Sequence, residues 1–283
     1  MNKIDQQQLT GERALYGAQD TQISRTIFSD GESPLKEARN IAIDHTIFKW
    51  KYPLWYDQNV SVTDSTFETD AHAGIWYTNH LTMTNVLLNT SKTFRRCRDL
   101  TLQNVDMPDA KETLWNCQDI QLDNVSVTGN YFGMNSNNIV AHHLRVTGNY
   151  AFDGAENVEI HDSTLLTKDC FWNCNHVTVY NSTIIGEYLA WNTNDITFIN
   201  CTIESEQGLC YIDHLTLRDC QLLNTDLAFE RCAHIDATVT TTIDSIKNPV
   251  SGRIEAPKIG SIILDSKQID PTQTQIIQTG SED

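Results

Sequence analysis

The chain has 283 residues, 37 acidic against 20 basic, and a formal net charge of −17. With no basic stripe to release counterions, that balance excludes a phosphate-backbone partner, and nucleic acid is not expected. No run of eighteen apolar residues occurs, which argues against a membrane-spanning helix, and the opening Met1 to Gln8 lacks the apolar stretch of a signal peptide, so a cytoplasmic protein is expected.

Residues 1–14 read as a cap, because the open end of a repeat array leaves unpaired backbone groups. From Thr21 the sequence repeats every 19 to 21 residues. The first core position of each unit falls at Thr21, Ile41, Val60, Leu81, Leu100, Ile120, Ile139, Val158, Val177, Ile196, Leu215 and Ile235, twelve coils in all. Within a unit the period is two. Ile120-Gln121-Leu122, Val158-Glu159-Ile160 and Leu215-Thr216-Leu217 set apolar residues about one polar residue, and a further apolar position follows five on, at Val127, Leu165 and Leu222. Short half-buried strands joined by bends follow from this pattern. Asn85, Asn104, Asn124, Asp162, Asn181, Asn200 and Asp219 mark one bend, a position that tolerates left-handed backbone. Coils this short exclude helical repeats and leave an all-β solenoid, a β-helix whose coils stack at about 4.8 Å.

Stacking turns equivalent positions into columns. Leu35, Leu54, Ile75, Phe94, Leu114, Gly133, Phe152, Phe171, Ala190, Leu209 and Phe229 form an inner one. The next residue along must then face outward. That outward column holds Trp55, Trp76, Arg95, Trp115, Met134, Asp153, Trp172 and Trp191, five of the six tryptophans among them, with Asn116, Asn135, Asn173 and Asn192 beside it. An aromatic row flanked by amides suits a saccharide, whose apolar ring faces match an aromatic face while its hydroxyls meet polar neighbours. An interface between protomers or with another protein uses the same residue types. Asp123, His142, His161 and Tyr180 form a second outward column, and Glu187, Glu206 and Asp226 a third, with Lys168 one coil earlier. The histidines read as part of a polar turn and the carboxylates as a solvated face, so neither a metal nor a cofactor is expected. Eight cysteines lack zinc-site spacing; Cys97, Cys117, Cys174 and Cys232 recur in one column as packed thiols, consistent with a reducing compartment. After Val239 the pattern loosens, so 239–265 reads as a C-terminal cap closing a single domain over 1–265, and the Gln- and Thr-rich 266–283 as a flexible tail.

The coil length, paired apolar triplets and Asn-rich turn columns resemble the pectin-lyase-like superfamily of single-stranded right-handed parallel β-helices, over about residues 15–265. Within it, Gly11-Glu12-Arg13-Ala14-Leu15-Tyr16, Leu114-Trp115-Asn116-Cys117 and Phe171-Trp172-Asn173-Cys174 resemble a bacterial family carried as a domain of unknown function. That family supplies no catalytic residues. The closely spaced Asp pairs of polygalacturonase-like members and the Asp wall of pectate lyases are absent, so no catalytic motif is recognisable; an enzyme of this kind would be a polysaccharide lyase or a glycoside hydrolase. Two readings follow. One is a saccharide-binding or carbohydrate-processing protein using the tryptophan ladder; the other is a non-catalytic scaffold whose aromatic face meets a second protomer or another protein.

Overall fold

A computed structural model describes residues 2–280. Two compact units divide the chain, Met1–Val146 and Thr147–Asp283. Each is a parallel β-solenoid, and every strand pairing is parallel and one coil apart in sequence. In the first unit the leading strands of successive coils are Asn2–Asp5, Gln19–Ser24, Arg39–Asp44, Gln58–Thr63, Asn79–Leu88, Arg98–Met107, Gln118–Thr128 and Asn137–His142. In the second they are Glu156–His161, Asn175–Tyr180, Asn194–Ile199, Asp213–Leu223, Ile235–Val239, Gly252–Ala256 and Thr274–Gln278.

The coils therefore number about 15, not 12. Of the three additions, one precedes Thr21: Asn2–Asp5 lies in register with Thr21 to Ser24, and Gln8–Thr10 with Ile27 to Ser29, so the segment read as a cap is itself a coil. The other two lie at the far end. Gly252 pairs with Ile235, only seventeen residues earlier, and Ile254 with Ala237, so Ile254 is not the register partner of Ile235 that a nineteen-residue step implies. That close approach needs glycine: φ is 121° at Gly252, and a Cβ there would stand 2.2 Å from the Ile235 carbonyl oxygen. Residues 266–280 are not a free tail. Asp270 accepts from Thr272 N at the start of a short 3-10 turn, Pro271–Gln273, and Thr274–Gln278 pairs with Gly252–Ala256. The coil between them runs to 22 residues, longer than the repeat of 19 to 21, which hides it from a periodicity search. The last three residues of the expected tail lie outside the described residues.

The expected inner column is buried throughout, from Leu35 to Gly133 in the first unit and from Phe152 to Phe229 in the second. Phe28 and Phe48 stack at 5.0 Å, and Phe48 and Phe67 at 4.6 Å. Each such ring removed from water contributes roughly 1.5–3 kcal/mol. Asn85, Asn104 and Asn124 take left-handed backbone, and each side-chain amide donates to the same position one coil earlier, at 3.0, 3.1 and 2.8 Å.

All eight cysteines are buried and unpaired. Their recurring column has a defined task. At the left-handed corner that follows the inner wall, a small side chain one coil later reaches back to the wall's carbonyls. Cys117 Sγ donates to Phe94 O (3.3 Å), Cys174 Sγ to Phe152 O (2.9 Å) and Cys232 Sγ to Leu209 O (2.9 Å), as Thr78 does to Leu54 O (3.0 Å) and Ser136 to Leu114 O (2.8 Å). Burial drives the Cys174 and Cys232 thiols to higher pKa, which keeps them neutral donors. Asp57 occupies the same column, fully buried, with Oδ1 accepting from Ala38 N at 2.7 Å and Oδ2 without a partner.

Candidate functional site

In the first unit Trp55, Trp76, Arg95 and Trp115 are successive register partners in one outward column. Their rings do not lie flat on the surface. Trp55 and Trp76 stack face to face, centroids 5.0 Å apart and planes within 7°, and the Arg95 guanidinium fills the space between Trp76 (5.1 Å) and Trp115 (4.5 Å). Glu112 pairs with Arg95 at 2.9 Å. Each indole N–H is also committed, to the next coil's turn: Trp55 to Ala73 O (2.7 Å), Trp76 to Lys92 O (2.9 Å) and Trp115 to Tyr131 O (2.6 Å). The ladder is thus a half-buried brace whose ring faces meet each other and whose edges meet solvent. Beside it Asn116 and Asn135 take left-handed backbone, φ 53° and 52°.

In the second unit Trp172 and Trp191 are neighbours at 6.2 Å, tilted by 47°, and Trp191 stacks on Tyr211 at 4.9 Å. Trp172 donates to Tyr188 O at 3.0 Å. The flanking amides are consumed by their own ladder: Asn173 donates to Asp153 (3.0 Å) and Asn192 to Asn173 (2.8 Å).

The other columns also take definite places. Asp123 and His142 are register partners in the first unit, as are His161 and Tyr180 in the second. Asp123 pairs with His143 at 3.2 Å; His161 pairs with Glu159 at 2.6 Å and stacks on Tyr180 at 4.5 Å. Glu187, Glu206 and Asp226 line one groove with Glu204 and Asp244, where Lys168 holds Glu187 at 2.9 Å and Asp226 accepts from Gln207 N at 3.0 Å.

What periodicity alone did not single out is the column two residues before each coil's first core position. In the first unit it reads Gln19, Arg39, Gln58, Asn79, Arg98, Gln118 and Asn137, confirmed as register partners throughout. None of these seven side chains hydrogen-bonds or ion-pairs within the described residues, although nearly every neighbouring amide is used in a ladder. Five of them edge two hollows of a polar trough beside the aromatic wall. One stretch of about 730 Å³ is lined by Gln19, Lys36, Glu37, Arg39 and Tyr56; another of about 380 Å³ by Asn79, Arg96, Arg98, Asn116 and Gln118. Tyr56 and Tyr77 stack at 4.7 Å on its wall side, and Tyr56 is 45% exposed. The sequence signal was present, a strictly polar column of amides and guanidines. Outward polar residues are ordinary in a strand, so the pattern does not stand out until the side chains are seen unpartnered.

The class of protein is thereby defined: a parallel β-solenoid with an aromatic brace beside a polar trough. The chain belongs to the family described as "Protein of unknown function (DUF3737)", whose model matches residues 2–277. No curated protein matches it. Among solved structures it is similar to a tailspike protein double mutant of E. coli bacteriophage HK620, with 7% identity and a TM-score of 0.52 over 92% of this chain and 69% of that one. That likeness shows the shared fold. A single mutant of the same tailspike in complex with a pentasaccharide aligns at 9% identity and a TM-score of 0.41 over 95% and 72%. PfbA, a surface adhesin of Streptococcus pneumoniae, aligns at 10% identity and 0.33 over 99% and 85%.

Proposed function

We propose that the protein binds a saccharide along the trough of the unit Met1–Val146. What carries this reading is the row of unpartnered amides and guanidines, Gln19, Arg39, Gln58, Asn79, Arg98 and Gln118, set at one-coil spacing, five of which line two hollows, the first beside Tyr56 and the second beside Asn116. Planar groups with paired donors and acceptors suit vicinal hydroxyls, and successive coils about 4.8 Å apart approach the length of a sugar residue. The tryptophans serve by holding the wall rigid and by offering ring edges, while Asn116 lines the second hollow. The buried free thiols suit a reducing compartment, in keeping with a cytoplasmic ligand. The superfamily resemblance points the same way.

A glycan array followed by calorimetry tests it. Wild-type protein is expected to retain a defined set of glycans, and Arg98→Ala with Asn116→Ala to lose them without loss of fold, since both side chains are exposed. Absence of any glycan binding at millimolar concentration would refute it. The second reading, a scaffold for a homo-oligomer or partner, is favoured by one observation: Ile262, Ile263 and Leu264 are consecutive and about 40% exposed. Light scattering of wild type and Ile263→Lys would reveal it as a change in mass.

A further inference from the structure

Asp213, His214 and His234 form a cluster of ligating side chains apart from the trough. His214 and His234 occupy the left-handed position just before a coil's first core residue, φ 59° and 51°. One coil apart, their imidazoles overlie each other, centroids 4.4 Å apart and planes within 16°. Both Nδ1 atoms turn to the same carboxylate: Asp213 Oδ1 lies 2.6 Å from His234 and 3.3 Å from His214. The three ligand atoms all fall within 4.8 Å of one another. The backbone beneath them is pinned, with Asp213 N donating to Thr193 O (3.1 Å), His214 N to Ala233 O (3.0 Å) and His234 N to Ser251 Oγ (3.0 Å). Elsewhere in this column a histidine meets only a single Asp, as in His80 with Asp99 (2.6 Å) and His176 with Asp195 (2.8 Å). Asp44, His45 and Asp64 also converge, but with one imidazole.

We infer that Asp213, His214 and His234 bind a borderline transition-metal dication of the Zn²⁺ class. Two imidazole nitrogens and a carboxylate oxygen are its customary donors, and ligand atoms on a tetrahedral zinc at about 2.0–2.2 Å stand roughly 3.4 Å apart; His214 and Asp213 are already 3.3 Å apart, and the His234–Asp213 pair at 2.6 Å opens to admit the ion. Ca²⁺ and Mg²⁺, which seek oxygen, are disfavoured. On metal binding the His234 Nδ1 proton that faces Asp213 moves to Nε2, which leaves Nδ1 a lone pair for the ion. Because all three residues are exposed, the remaining coordination positions stay open to water or an incoming donor.

Titration of the full chain with zinc chloride by calorimetry, in two buffers of different ionisation heat, tests this. One Zn²⁺ per chain is expected in both buffers, with a raised melting temperature, and Mg²⁺ should do neither. His214→Asn with His234→Asn retains a residue type native to this column, and Asp213→Asn is the second variant. Each should weaken zinc by at least about tenfold, the loss that even an outer partner of a ligand costs. His176→Asn should bind as wild type does. Melting of each variant without zinc reports its fold. Failure of wild type to take up zinc, or uptake that both variants keep, would overturn the site.

Discussion

Asp57→Asn isolates the one carboxyl in a column otherwise built from Ser, Thr, Cys and small apolar residues. The folded chain holds Asp57 fully buried, with Oδ1 on the Ala38 N–H and Oδ2 buried without a partner. Burial pushes its pKa up from 3.8 to about 8, with the nearby Glu37 adding in the same direction. Between those values the folded state keeps a proton that the unfolded chain has lost. The associated stability is therefore whole below about pH 4 and falls as pH rises, until the folded carboxyl itself ionises near pH 8. At about 1.4 kcal/mol per pH unit, the deficit reaches roughly 4 kcal/mol at pH 7. Asparagine keeps the acceptor for Ala38 and supplies an N–H₂ donor in place of the protonated oxygen, without a titration. Urea unfolding of wild type and variant from about pH 5 to pH 8 should show the variant gaining on wild type by about 1.4 kcal/mol per unit. An offset between the two that stays constant across that range would refute the protonated carboxyl.

Cys117→Ser should be tolerated to within about 1 kcal/mol, because Ser136 makes the same bond one coil later, whereas Cys117→Ala removes one of two bonds to the Phe94 carbonyl, which still accepts from Trp115 N, and should cost about 0.5–1.5 kcal/mol in chemical denaturation. Trp115→Phe keeps a ring against Arg95 but deletes the indole bond to Tyr131 O; a loss of about 1–2 kcal/mol is expected, read as a lowered melting temperature. Gly186→Ala should destabilise by at least about 1–3 kcal/mol, since a Cβ there would stand 2.1 Å from the Thr167 carbonyl oxygen and force two coils apart. A melting temperature unchanged by this last substitution would show that the coils yield more readily than their backbone spacing implies.

Much of the solenoid can be read before any coordinates are known. A parallel coil places residue i beside its equivalent about nineteen on, so one period converts a linear text into columns, and the Leu35 to Phe229 wall and the Trp55 to Trp115 ladder emerge as such. The same periodicity failed at both ends. Asn2–Asp5 has only Ile4 to signal a core position, and the step from Ile235 to Gly252 breaks the count. It also misjudged what the ladder presents. Alternation says that Trp76 faces outward, but not that its ring lies along the stack with one face on Trp55 and the other on Arg95.

The order of residues alone decided the all-β solenoid, its buried columns and the surface to which the aromatic residues belong, because these depend on spacing and polarity, which the sequence carries in full. Only the folded chain decided which side chains are spent and which are free. Asn173 and Asn192 close a ladder while Asn79 and Arg98 stay open, and Asp213, His214 and His234 bring their ligand atoms within 4.8 Å of one another. Rotamers and corner geometry set those outcomes, and no period encodes them.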